Sequence, residues 1–211
     1  MSQARPPTPA PPDPFAPGTT IIEAGATLYG VYTNLFRPTE RKPRFGEGGR
    51  FHFFGDPPVP VLHLADSREA ALAERLLRNI PVEHPEPLRR SAYRNEVLAG
   101  LAPARPLRPA QFFGLGLRQL GIEATQLTDT PETHYAQTRA WAAAAHRLGP
   151  DGIAWMSKRD NRARAYMLFG DRVAEQDLQA LPGPGLAFCS GAGFDWLVDT
   201  CAPPGIAVMP R

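Results

Sequence analysis

The chain has 211 residues, 43% of them hydrophobic and 21% charged, with a formal net charge of +2. That is enough for one domain with a hydrophobic core, and the charge gives no general electrostatic reason to expect a nucleic-acid partner. No apolar run reaches the roughly 18 residues a membrane span needs. The N-terminus lacks a signal peptide's basic-then-apolar layout, and two cysteines, Cys189 and Cys201, are too few for a disulfide framework. A reduced, cytoplasmic protein is expected, with neither nucleic acid nor membrane as partner.

Taken in chain order, the first 18 residues, "MSQARPPTPAPPDPFAPG", hold seven of the 25 prolines and almost nothing to bury. Such a segment cannot offset its ordering entropy, so residues 1–20 are expected to be a disordered or polyproline-like tail and 21–211 a single domain. "TLYGVYT" (27–33) alternates as a strand, with Gly30 in its middle. The stretch from 34 to 58 is a long loop whose Arg37, Arg41, Lys42, Arg44 and Arg50 outnumber Glu40 and Glu47. It either holds an anion or is a solvated surface.

"VPVLHLA" (59–65) is a short strand, followed by a helix to about Arg78 or Asn79, with Asp66 as cap and Glu69 completing a capping box. "EVLAGLA" and "RPLRPAQFF" read as strands and "GLGLRQLG" as a short helix. "TPETHYAQTRAWAAAAHRLG" (130–149) is a helix capped by Thr130, with Pro131 first and Gly149 as the stop. "GIAWMS" and "RAYMLFG" are strands joined by the turn "KRDNRA"; "FDWLVDTC" is a helix and "GIAVMP" a last strand. Strands interspersed with few helices predict an α+β fold.

Two polar residues stand out. On a helical wheel of roughly 100° per residue, Glu74 falls about 40° past Ala70, at the border of the apolar stripe. It is either a rim residue satisfied by Arg78 at i+4 or a carboxylate pointed into a cleft. Ser157 ends an apolar strand, as a turn residue or as a presented side chain. It has no GxSxG context, and the five histidines show no metal-ligand spacing.

Three segments occur in order: "GGRF" (48–51), "VPVLHLADSREAALAE" (59–74) and "DGIAWMSKRDNRARAYMLFGDRV" (151–173). Together with "HYAQTRAWAAAAH" between them, they resemble the RES domain, the toxin half of RES–Xre toxin–antitoxin pairs, over roughly residues 27 to 175. The resemblance implies a compact mixed-sheet α+β fold like that of ADP-ribosyltransferases, with Arg50, Glu74 and Ser157 as catalytic residues. It also implies Tyr29, Arg50, His63 and Trp155 as substrate-binding residues.

The implied activity is NAD⁺ degradation by cleavage of the nicotinamide–ribose bond. Water or phosphate is the acceptor, NAD⁺ is a substrate rather than a cofactor, no metal is required, and an Xre-like antitoxin is the partner. Relatives that transfer ADP-ribose to a protein give a second reading, and a non-catalytic nucleotide- or partner-binding module a third. The chain departs from the family pattern at Gly30, where "LYR" usually supplies an arginine, and at His63, where tyrosine is usual. Arg37, Arg41 or Arg44 would have to replace the first.

Overall fold

Alternation along one short strand organises the molecule. In Val61–Ala65 (β2), Val61 and Ala65 pack on one face of the sheet and Leu62 and Leu64 on the other, as a two-residue period requires. The structure, a computed structural model, describes residues 7–40, 48–183 and 185–210. β2 lies at the centre of an eight-stranded mixed sheet. On one side it pairs antiparallel with Leu28–Thr33 (β1), Tyr29 opposite Ala65.

After β2 come a helix, Arg68–Leu72 (α1), a short helix, Arg90–Tyr93 (α2), and the strands Glu96–Pro103 (β3) and Ala110–Phe112 (β4). Two short helices, Leu115–Gln119 (α3) and Ala124–Leu127 (α4), lead to the long Tyr135–Arg147 (α5). Gly152–Met156 (β5) and Arg164–Phe169 (β6) form a hairpin, and β6 flanks β2 on its other side. Leu178–Ala180 (β7), Leu186–Ala187 (β8) and Gly191–Cys201 (α6) complete the fold. The order is β4-β5-β6-β2-β1-β3-β7, with β8 also on β3; β4–β5 is parallel and every other pair antiparallel. The α+β class expected from the sequence holds.

The core is divided. On one face of the sheet, Trp141, Ala142 and Ala145 of α5 cover β5 and β6 through Ile153, Trp155 and Met167. On the same face, Ala70–Leu72 of α1 and Leu197 of α6 cover Val31, Ala65 and Leu98. Leu28, Leu62, Leu101, Tyr166 and Leu168 fill the opposite face. Each fully buried large apolar side chain contributes roughly 1.5–3 kcal/mol. The uncovered strip between the first two clusters is where a cavity opens.

Several expectations are corrected. Ser67, not Asp66, caps α1: its side chain accepts from the Ala70 amide at 3.0 Å. Asp66 instead ties β2 to β6, accepting from the Tyr166 hydroxyl at 2.6 Å and Arg164 Nε at 2.8 Å. Burial, and then that bond to Asp66, push the Tyr166 phenol far above its usual range, so it stays a donor. Thr130 does not cap a helix: Glu132–His134 is a 3₁₀ turn beginning after Pro131, and α5 starts at Tyr135. "GIAVMP" forms only one parallel bridge, Leu88 with Val208.

The proline-rich segment lies along the body from Thr8 onward. Thr8 donates to Gln126 O at 2.6 Å, Trp141 Nε1 donates to Pro9 O at 2.7 Å, and Phe15 meets the Trp141 ring edge-on at 5.7 Å. An extended segment without internal hydrogen bonds can be held this way by donors of the body. Of the basic loop, Arg41, Lys42, Arg44 and Glu47 lie outside the described residues. Arg37 is exposed and pairs with Glu175 at 3.6 Å.

Candidate active site

The cavity between the two clusters measures about 120 Å³. Its floor is the shared face of β1 and β2, through Tyr29, Val31, Val61 and His63. One wall is the helix after β2, the other the segment 50–53 with Tyr135 and Trp155. Five of the six residues singled out from the sequence therefore meet here: Tyr29, Arg50, His63, Glu74 and Trp155.

The helical wall is not a regular α-helix. From Ala73 to Leu77 the chain makes a π-turn, with Glu74 in its first turn. The wider i→i+5 turn is rare and recurs at functional sites. A loop from the distant β5–β6 hairpin holds it. Ser157 Oγ donates to Glu74 Oε1 at 2.8 Å and the Lys158 amide donates to the same oxygen at 3.3 Å. Arg159 caps the end of the turn, with Nη2 donating to Ile80 O at 2.7 Å and Arg78 O at 3.2 Å. Lys158 Nζ is anchored to Asp129 at 2.7 Å.

Glu74 is thus a cavity residue. Arg78, its alternative surface partner, also lines the cavity but forms no ion pair with it among the described residues. Ser157 is not among the residues lining the cavity. Only 1% exposed, it lies behind Glu74 and points its hydroxyl at the carboxylate.

The opposite wall carries unspent donors. Arg50 is 8% exposed, and its Nε has no hydrogen-bond partner; its guanidinium lies 5.8 Å from the centre of the Tyr135 ring. Trp155, 3% exposed, likewise leaves Nε1 without an acceptor. Buried donors are nearly always satisfied, so two orphans on one wall mark a place for a ligand's oxygens.

The backbone at Arg50 is set by Thr138, which donates to Arg50 O, and by its glycines. A Cβ on Gly49 would come within 2.4 Å of the His52 ring. That ring packs edge-on against His63 at 4.5 Å. At Gly30 a Cβ would meet His63 O at 3.2 Å and Leu64 Cδ2 at 3.1 Å, so a larger residue there needs β2 to yield.

Sequence reasoning missed Tyr135, His52, Arg75 and Arg78 as lining residues. The signal for Tyr135 was its place at the start of the long helix; none marked the others. Arg75 is committed to Glu96 through two bonds of 3.0 and 2.6 Å, which fix the outer face of the π-turn. Among the described residues, no group of three or more His, Cys, Asp or Glu could hold a metal ion, and no helix is long and apolar enough to cross a membrane.

No curated protein matches the chain. Among solved structures, a chain of the crystal structure of the M. tuberculosis MbcT–MbcA toxin–antitoxin complex is similar in fold. Its TM-score is 0.55 at 19% identity, and the match covers 79% of this chain and 87% of that one. The family model of the RES domain matches residues 27–188, most of the chain and every residue of the cavity described above. The chain belongs to the RES domain family.

Proposed function

We propose that this protein degrades NAD⁺ by breaking the nicotinamide–ribose bond, and that an Xre-like antitoxin holds it inactive. The observation that carries the reading is Glu74, a carboxylate fixed by Ser157 and the Lys158 amide, facing a wall of buried, unpartnered donors.

As the bond from the anomeric carbon to the pyridinium nitrogen breaks, its electron pair leaves with nicotinamide and positive charge builds on the ribose. A preorganised carboxylate in a partly dry cleft stabilises that charge. Both of these bonds fall on Oε1, which leaves Oε2 for the ribose or the incoming acceptor. Water or phosphate then bonds to the anomeric carbon, losing a proton. Arg50 suits a phosphate or ribose oxygen by its charge and fork, and Trp155 Nε1 suits the carboxamide oxygen. His63 and Tyr29 supply flat faces on the floor. The antitoxin partner is supported by the toxin–antitoxin complex in which the similar fold occurs.

Gly30, in place of the family's arginine, favours a second reading, a nucleotide-binding member without turnover. Incubating the purified protein with NAD⁺, with and without phosphate, separates the two. Nicotinamide with ADP-ribose or its phosphorylated form supports the first, and bound but intact NAD⁺ supports the second.

A further inference from the structure

A second cavity of about 300 Å³ adjoins the first, and Tyr29 belongs to the walls of both. It opens at the edge of β3, where β7 covers Leu101–Pro103 and β8 covers Val97–Leu98. In the gap between them, the Leu181 amide, just after β7, donates to Gly100 O at 2.9 Å. The lining mixes tyrosine rings and aliphatic side chains, among them Tyr32, Leu98, Leu181 and Pro182, with polar groups, and no described lining residue is a carboxylate. Arg68 stands at the seam. It is exposed, its guanidinium lies 5.4 Å from the centre of the Tyr29 ring, and it forms no ion pair among the described residues.

A dinucleotide is two ring-bearing halves joined by a diphosphate, and two adjoining cavities that share Tyr29 match that division. The second cavity has what the other half needs: tyrosine rings and aliphatic side chains beside polar groups for a base and its sugar, and a guanidinium where the two spaces meet. We infer that it takes the adenosine half of the substrate, with Arg68 on the diphosphate that crosses Tyr29. This rests on NAD⁺ as the ligand of the first cavity. It adds that selectivity for a dinucleotide over nicotinamide mononucleotide is built at β3 and α1, away from Glu74.

The test is calorimetric binding of NAD⁺ and of nicotinamide mononucleotide to the full chain carrying Glu74→Gln, which removes turnover. Arg68→Ala and Ala180→Trp, the latter filling the cavity from an exposed lining position, are each added to it. NAD⁺ is expected to bind more tightly than the mononucleotide. Each added change should weaken NAD⁺ by about tenfold and move the mononucleotide by less than about twofold, with Arg68→Lys intermediate. Equal losses for the two ligands, or none for NAD⁺, overturn the assignment. Nicotinamide release by the chain with Glu74 intact is read separately. The expected binding pattern without release refutes the reaction and leaves the subsite standing, whereas no NAD⁺ binding refutes both.

Discussion

The two walls of the first cavity are built on opposite terms. On the helical wall the groups that fix the turn and Glu74 are engaged: Glu74 Oε1 with Ser157 and the Lys158 amide, Arg75 with Glu96, the carbonyls of Arg78 and Ile80 with Arg159. On the facing wall Arg50 Nε and Trp155 Nε1 are buried without acceptors. An unsatisfied buried donor costs about 1–3 kcal/mol, which a ligand's oxygens would return on binding. A group that acts on a transition state has to be held before the substrate arrives, while a group that binds has to keep its donors unspent.

If that division is right, changes on the helical wall alter rate and changes on the facing wall alter affinity. Glu74→Gln gives the largest expected effect: nicotinamide release slower on the order of a hundredfold or more, with KM within a few-fold. Turnover near that of the wild type in a chain that does cleave NAD⁺ would remove Glu74 from the mechanism. Ser157→Ala takes away one of the two donors holding Oε1 and should lower kcat by about tenfold without raising KM. A rise in KM alone would make Ser157 a substrate contact instead.

On the facing wall, Arg50→Ala should weaken NAD⁺ by about tenfold or more in a binding titration. Its melting temperature should hold or rise, because a buried charge without a counter-ion among the described residues is removed; unchanged affinity would break the comparison. The smallest effect belongs to Arg159→Ala, which leaves the carbonyls of Arg78 and Ile80 without a donor. It should cost about 1–2 kcal/mol in denaturant unfolding and slow turnover only a few-fold. A normal stability would mean that the π-turn stands without its clamp.

Much of this could be read from the chain before folding was considered. β2, β5 and β6 show in their apolar patterns, and the three RES-like segments bring Arg50, Glu74, His63 and Trp155 to one cavity. What could not be read depends on partners far away in sequence. Asp66 and Ser67 are equally good caps, and the choice falls to Ser67 because Tyr166 and Arg164 claim Asp66. A wheel at fixed angular spacing puts Glu74 at the stripe's edge, but the π-turn that carries it is held by Arg159 from another element. Ser157 is visible at a strand end, yet its partner is set by where α1 docks. The proline-rich segment looks unburiable by composition, although one phenylalanine and one threonine suffice to seat it on α5 and α4.

The central strand also has a consequence for how the protein is made. β2 meets β1 soon after both are synthesised, but its other neighbour, β6, and the hairpin loop carrying Ser157 and Lys158 come about a hundred residues later. At ribosomal rates of roughly 5–20 residues per second that is a delay of several seconds, and pairings so distant in sequence form slowly even once both strands exist. Until then the growing chain has its arginine and its carboxylate but nothing to hold them in place. On the proposed mechanism the site is incomplete until β6 and that loop have been made.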